Sequence, residues 1–217
     1  MSTPLSTKKA LRREIAAKLC GLSKNAIHLQ SQRLCARLAT ASWLQATDHV
    51  TESQAKMIGS TESSLHIGSY MAMPVEANLA SLHMALLTSG CVLHLPRCEG
   101  RKLHWGSVKN VTELQSLTPR GRYGICEPKT AMEHVPLDIV LVPGVAFTIK
   151  GARLGHGAGY YDSWLNDYLA RHGSLPLLVG VALAEQLVAQ LPQEPHDVRM
   201  DYVVTGDGKL YDCKAIK

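Results

Sequence analysis

One block of this chain narrows its possible folds more than any other. The apolar run Asp138-Ile139-Val140-Leu141-Val142-Pro143 leads into Gly144-Val145-Ala146-Phe147-Thr148-Ile149-Lys150. Gly151-Ala152-Arg153-Leu154-Gly155-His156-Gly157-Ala158-Gly159 and then Tyr160-Tyr161-Asp162 follow, and Trp164-Leu165 with Tyr168-Leu169 recur beyond at helical spacing. A buried strand that opens into a glycine-rich loop and then a helix is one way to hold phosphate. Glycines let backbone N–H groups approach the anion, and the helix start adds unpaired donors and partial positive charge.

The flanking segments alternate in the same sense. His66 to Ala72 reads as a strand, Met73-Pro74-Val75-Glu76 as a transition, and the stretch to Thr88 as a helix with Leu79, Leu82, Ala85 and Leu86 on one face. Cys91 to Pro96 reads as the next strand, which makes a β–α–β unit with parallel strands. Leu103-His104-Trp105 and Val108 alternate weakly, and Tyr123 to Pro128 is turn-like. Beyond the glycine block, a helix over Tyr160 to Arg171, a strand over Leu177 to Ala182, a short helix over Glu185 to Leu191 and a last strand over Asp201 to Thr205 are expected. The N-terminal part predicts two helices: one from Thr7, with Leu11, Ile15 and Leu19 at i, i+4, i+8, and one over Lys24 to Leu44. The fold class is therefore α/β, a largely parallel Rossmann-like sheet flanked by helices, with an N-terminal helical hairpin. A single domain spans 1–217, and the polar stretch 45–65 reads as a surface loop insertion.

Bulk properties exclude several classes. The six cysteines, at 20, 35, 91, 98, 126 and 213, form no Cys-x-x-Cys pair and no zinc spacing, and reduced thiols are expected. No apolar run approaches the ~18 residues of a membrane span. No basic run is interleaved with aromatics, so nucleic acid is not an expected partner. The net charge of +5 suits an anionic ligand. The basic, amphipathic N-terminus fits a structural helix better than a mitochondrial transit peptide, so the cytoplasm is the expected compartment and the mitochondrion the alternative. A monomer is expected.

The glycine block is not Walker A, because no Gly-Lys-Ser/Thr closes it, and it lies too late in the chain for the dinucleotide fingerprint. Arg153 can pair with phosphate. Asp162 is an oxygen ligand suited to Mg²⁺, or simply a first-turn acid of the helix. Lys8 and Arg12, four apart, share a helix face, which is either a solvated basic face or a two-pronged phosphate clamp. Glu76, where a strand end becomes a helix start, is either a first-turn acid or a ligand contact at the carboxyl edge of the sheet. Asp197 and Asp201 are four apart, so in extended chain both point to one side, and either could supply a second carboxylate. Ser163 lacks a nucleophile elbow and Cys126 lacks a base in sequence, so covalent catalysis has little support.

These segments together resemble a known family. Pro143-Gly144-x-Ala146-Phe147 and Gly151-x-Arg153-Leu154-Gly155-x-Gly157-x-Gly159-Tyr160-Tyr161-Asp162 resemble the signature of 5-formyltetrahydrofolate cyclo-ligase, also called 5,10-methenyltetrahydrofolate synthetase. Lys8-x-x-Leu11-Arg12, Met73-Pro74-x-Glu76 and Asp197-x-x-x-Asp201 resemble further segments in the same order. The resemblance implies ATP-dependent closure of 5-formyltetrahydrofolate to 5,10-methenyltetrahydrofolate, with ADP and phosphate released. It implies ATP contacts at Lys8, Arg12, Arg153, Leu154, Gly155, His156, Gly157, Ala158, Gly159, Tyr160 and Tyr161. It implies Mg²⁺ at Asp162 and Asp201, and folate contacts at Met71, Glu76 and Tyr123. Arg153, Tyr160 and Tyr161 would act at the reacting groups. Three positions depart from the family's pattern: Thr148 stands for an aspartate, His156 for an arginine, and Ala158 for glycine or lysine. The alternatives are a non-catalytic folate or nucleotide binder on the same fold, and an isomerase- or CoA-transferase-like enzyme on a related scaffold.

Overall fold

The computed structural model describes residues 7–45, 64–100, 102–120, 124–131, 135–195 and 197–216. Positions 46–63 of the expected insertion, and Tyr123, lie outside the described residues.

A seven-stranded sheet forms the centre, in the order β11-β10-β9-β6-β1-β2-β3. Its strands are β1 His66–Gly68, β2 Val92–Glu99, β3 Lys102–Val108, β6 Ile139–Val142, β9 Leu177–Ala182, β10 Tyr202–Thr205 and β11 Leu210–Asp212. The run β10-β9-β6-β1-β2 is parallel throughout, while β3 and β11 pair antiparallel at the two edges. Two antiparallel ribbons lie off this sheet: β4 Thr118–Arg120 with β5 Ile125–Glu127, and β7 Ala146–Phe147 with β8 Arg153–Leu154.

Helices cover both faces, and the two-residue period of the strands assigns the side chains. Ile139 and Leu141 point to a core shared with Leu11, Ile15 and Leu19 of α1 (Lys8–Cys20) and Leu34 and Leu38 of α2 (Lys24–Ala39). Val140 and Val142 point the other way, to Trp164, Leu165 and Tyr168 of the helix over Tyr160–His172. All four strand residues are at most 2% exposed, as expected of a parallel strand covered on both faces.

Several elements differ from the expectation. The second helix ends at Ala39, and a short α3 (Ser42–Gln45) follows. The Thr40 hydroxyl bonds the Arg37 carbonyl and competes with the helical ladder there. Strand β1 stops at Gly68, because Tyr70 turns inward and its hydroxyl donates to the Ala77 carbonyl. Helix α4 accordingly spans only Ala80–Thr88, and a further short helix α5 covers Val111–Gln115, leaving Tyr160–His172 as α6. Glu185 to Leu191 is not a helix beyond a single 3₁₀ turn at Ala184–Gln186. Gln186 is recruited elsewhere: its amide oxygen accepts from Leu183 N, and its nitrogen donates to the Gly144 and Val145 carbonyls, bracing the glycine block. All six cysteines are free thiols.

The β7–β8 ribbon is clamped onto the sheet by Phe147, which is fully buried. A Cβ at Gly180 of β9 would lie 2.6 Å from the Phe147 ring, so glycine is what admits it. Thr148 closes the ribbon's turn, its hydroxyl accepting from Ala152 N at 3.1 Å.

Candidate active site

Strand order places the site. The chain crosses from β1 to β2 on one side and from β6 to β9 on the other, so the carboxyl ends of β1 and β6 flank a switch point. A cavity of about 410 Å³ opens there. The segment after β1 contributes Tyr70, Met71, Met73 and Glu76, and the segment after β6 contributes Pro143, Arg153, Gly155, His156, Ala158, Gly159, Tyr160, Tyr161 and Asp162. Pro96, Cys98, Leu103, Ile125 and Glu127 form a third wall.

Arg153 is the hub. Its side chain is only 4% exposed, one terminal nitrogen lies 2.7 Å from Asp162 Oδ1 and the other donates to the Pro143 carbonyl at 3.3 Å. Its Nε is buried without a partner, as is the Tyr161 hydroxyl, among the described residues. The guanidinium lies 5.6 Å from the centre of the Tyr161 ring. Burial and the Glu76 carboxylate keep the Tyr161 hydroxyl protonated far above its ordinary value, against the opposing effect of Arg153. Two buried polar atoms left open beside a cavity are what an anionic ligand would complete.

Helix α6 adds a third donor set. Gly159 precedes its first residue, and no side chain caps its first N–H groups. Asp162 in the first turn opposes a phosphate there. Arg153 offsets part of that charge through one carboxylate oxygen, which leaves the other for a cation.

Glu76 stands across the cavity. Its Oε2 accepts from Met73 N at 2.9 Å, and its Oε1 lies 3.9 Å from His156 Nε2. Burial pushes its carboxyl up to about 7, against the lowering effect of the Met73 bond. Because α4 starts at Ala80, Glu76 is not a first-turn residue of that helix. His156 is held below its ordinary value by partial burial and by the guanidinium groups of Arg153 and Arg12.

The two cations of α1 separate. Arg12 reaches the loop, Nε donating to the Gly155 carbonyl at 2.8 Å, and a Cβ at Gly157 would lie 3.4 Å from its guanidinium carbon. Lys8 pairs with Asp197 at 2.8 Å and Glu194 at 3.4 Å. Burial would lower its ammonium, but these two carboxylates outweigh that and hold it above its ordinary value. Asp197 is thereby a turn residue, accepting also from Glu194 N, rather than part of an extended strand.

Asp201 is placed apart from Asp162. It immediately precedes β10, accepts from Leu178 N at 2.8 Å and pairs with Lys214 at 2.7 Å, whereas Asp162 lies beyond the carboxyl end of β6 on Arg153. Among the described residues no group of three or more His, Cys, Asp or Glu could hold a metal by itself. Leu154 is buried in the core beneath the loop. The third wall, including Cys98, Leu103 and Glu127, was missed from sequence. Cys98 and Leu103 come from the β2–β3 hairpin, five of whose seven residue pairs extend past the β1 ladder, and Glu127 comes from β5; the sequence hint was the alternation around Trp105.

Comparison with known proteins places the chain in a family. The model of the 5-formyltetrahydrofolate cyclo-ligase family matches residues 4–206. A 5-formyltetrahydrofolate cyclo-ligase of Saccharomyces cerevisiae is 33% identical over 95% of this chain and 99% of that protein. The one from Mus musculus is 25% identical over 93% of this chain and 95% of its own length. The NMR structure of Aquifex aeolicus 5,10-methenyltetrahydrofolate synthetase superposes with a TM-score of 0.71 at 26% identity, covering 95% of this chain and 93% of that one. The Mycoplasma pneumoniae synthetase shares the fold at a TM-score of 0.63 and 19% identity, over 92% of this chain and 98% of that one. With a family match over nearly its whole length and a full-length relative one-third identical, this chain belongs to the 5-formyltetrahydrofolate cyclo-ligase family.

Proposed function

We propose that the protein couples ATP hydrolysis to the cyclisation of 5-formyltetrahydrofolate to 5,10-methenyltetrahydrofolate. The observation that carries this reading is one cavity with an anion-binding face, Arg153 with the start of α6, opposite a buried carboxyl, Glu76. Those are the two kinds of recognition that a triphosphate and a pterin need side by side.

The chemistry follows from what must be activated. A formamide oxygen is a poor leaving group. Its attack on the γ-phosphorus breaks the bond to the bridging oxygen, which leaves with ADP. The carbon, now bearing phosphate, accepts the N10 lone pair; phosphate departs and N10 loses its proton. The protein contributes position and charge stabilisation. Arg153 Nε and the Tyr161 hydroxyl, both open, would donate to the transferring group. Arg12 and the Gly155 to Tyr161 backbone would hold the phosphates, and Lys8 would join them by leaving Asp197 and Glu194. Tyr160 would close the site between the two substrates.

Glu76 would accept from pterin N–H donors, with Met71 lining the same cavity, and Tyr123 would be a further folate contact. Mg²⁺ normally takes one or two carboxylates, completing its shell with phosphate oxygens and water, so a site without three clustered ligands still fits it. Asp162 would supply the carboxylate; Asp201, expected as a second ligand, lies at the amino end of β10, away from the cavity, and would not reach the metal there. The metal would neutralise charge between Asp162 and the triphosphate.

The test is the absorbance rise of methenyltetrahydrofolate, which should require both ATP and Mg²⁺. Folded protein at micromolar concentration that gives no signal refutes the reading. Asp162→Asn should raise the KM for Mg²⁺–ATP, and Glu76→Ala the KM for the folate. A monomeric, cytoplasmic enzyme belongs to the same proposal. No described helix is long and apolar enough to cross a membrane, and gel filtration with cell fractionation tests the rest.

A further inference from the structure

His156 and Glu76 face each other from opposite sides of the cavity. His156 lies in the glycine-rich loop between β8 and α6, and Glu76 in the turn between β1 and α4. His156 Nε2 is 3.9 Å from Glu76 Oε1, too far for a hydrogen bond, so each group holds or loses its own proton. The imidazole is half exposed and exchanges protons with solvent, whereas the carboxyl is buried. The proposed reaction uses only the backbone of His156 and leaves its side chain without a task.

The surroundings set where the protons rest. Arg12 of α1 and Arg153 of β8 flank the residue before His156. Arg12 Nε donates to the Gly155 carbonyl at 2.8 Å, and a Cβ at Gly155 would lie 3.1 Å from a terminal nitrogen of Arg153. Burial first, and then these two cations, hold the imidazole below its ordinary value. Around Glu76 stand the buried Tyr70 and Tyr161 hydroxyls, which stay protonated, and Met73 N, which donates to Oε2. Asp162 is paired with Arg153, and Cys98 and Glu127 stand on the third wall. With burial raising Glu76 to about 7, the empty site at slightly acidic pH sets a neutral carboxyl opposite a neutral imidazole.

A neutral carboxyl is a poor partner for N–H donors, because one of its oxygens carries a hydrogen. A triphosphate on Arg12 and Arg153 offsets the two charges that disfavour the imidazolium. The imidazolium in turn favours the carboxylate it faces, since an opposite charge at this range lowers a carboxyl. Glu76 gives up its proton and His156 Nε2 gains one, exchanged through solvent, so the count is unchanged. We propose that His156 is a positioning residue for the folate: with a triphosphate on the loop it takes the proton and leaves Glu76 as the carboxylate that binds the pterin, so that each substrate strengthens the binding of the other. The inference rests on the placement of the two substrates proposed above.

Calorimetry with 5-formyltetrahydrofolate, with and without Mg²⁺ and the β,γ-imido analogue of ATP, reads this coupling without turnover. In the wild type the analogue should tighten the folate Kd about fourfold at about pH 6.5, where roughly a quarter of Glu76 is ionised in the empty site. At about pH 8.5, where the carboxyl is ionised in any case, it should change it by less than about twofold. At the lower pH, His156→Gln should bind folate weakly with or without the analogue. His156→Arg, whose charge is permanent, should bind it tightly in both cases. A merely structural imidazole would make the two variants behave alike. Thermal melts of each variant confirm folding. An analogue effect of equal size at both pH values, or one that survives His156→Gln, would overturn the inference. A folded wild type that binds no folate at either pH would overturn it together with the folate reading of the cavity. The expected pattern in protein without ATP-dependent turnover would support the coupling and count against the proposed reaction alone.

Discussion

At the scale of single residues, the site is defined by polar groups whose ordinary needs are left unmet. Arg153 satisfies Asp162 and Pro143 but not its own Nε. Arg153→Met would leave Asp162 with a partly buried, unpaired charge. We expect a loss of about 2 kcal/mol in denaturant unfolding and a fall in kcat of about 100-fold. Asp162 is 27% exposed, which keeps the stability loss below that of a fully buried pair. Glu76 makes a different prediction. Its carboxyl is raised from 4.5 to about 7 by burial, so between those values the folded protein holds a proton that the unfolded chain releases. Its contribution to stability is thus full at low pH and declines as pH rises through that window, by at most about 3 kcal/mol. Glu76→Gln removes the decline: the stability of the variant minus that of the wild type should climb from pH 4.5 to 7 and then level off. A flat difference in urea titrations across that range would show that the carboxyl is not desolvated. The opposite trend expected of His156 comes from burial and from Arg153 and Arg12, which both proteins keep.

At the scale of elements, the β7–β8 ribbon carries the loop. It is anchored by Phe147 on Gly180, by the Thr148 turn and by Gln186 beneath Gly144. Thr148, one of the departures from the family's pattern, closes this turn with its hydroxyl, a task that requires only an acceptor there. Gly180→Ala drives a methyl to 2.6 Å from the Phe147 ring. A rigid ring with no room to retreat makes this an overpacking change, and we expect a loss of about 1–3 kcal/mol. Amide exchange should rise in residues 144–155 ahead of the central strands, whereas uniform acceleration would mean that the ribbon is not an independent unit.

At the scale of the whole molecule, the first helix completes a glycine-rich loop that lies in the second half of the chain. Arg12 bonds a carbonyl 143 positions away, and Lys8 a carboxylate 189 positions away. Arg12→Ala should therefore raise the KM for ATP by about tenfold while leaving the KM for the folate within twofold. Equal effects on both would place Arg12 in general support of the fold.

Local patterning in this chain was enough for the alternation of strands and helices, the two-sided burial of β6 and β9, and the grouping of Arg153, Tyr161 and Asp162, which one glycine-rich turn brings within reach of each other. It was not enough where a side chain had a distant competitor. Gln186 left its helix to brace Gly144, and Tyr70 cut β1 short. Lys8 went to Asp197, and Asp201 to Leu178 and Lys214, so a pair of acids four apart in sequence never came to share a face. The antiparallel edges and the wall from the β2–β3 hairpin also belong to tertiary structure, because edge pairing depends on which neighbours remain unpaired after the parallel core has formed. Sequence by itself determined the donor chemistry of the glycine block, since its donors are backbone groups and near neighbours. Only the fold decided what faces that block, because Glu76 and Arg12 reach it through strand order and helix packing, which no local spacing encodes.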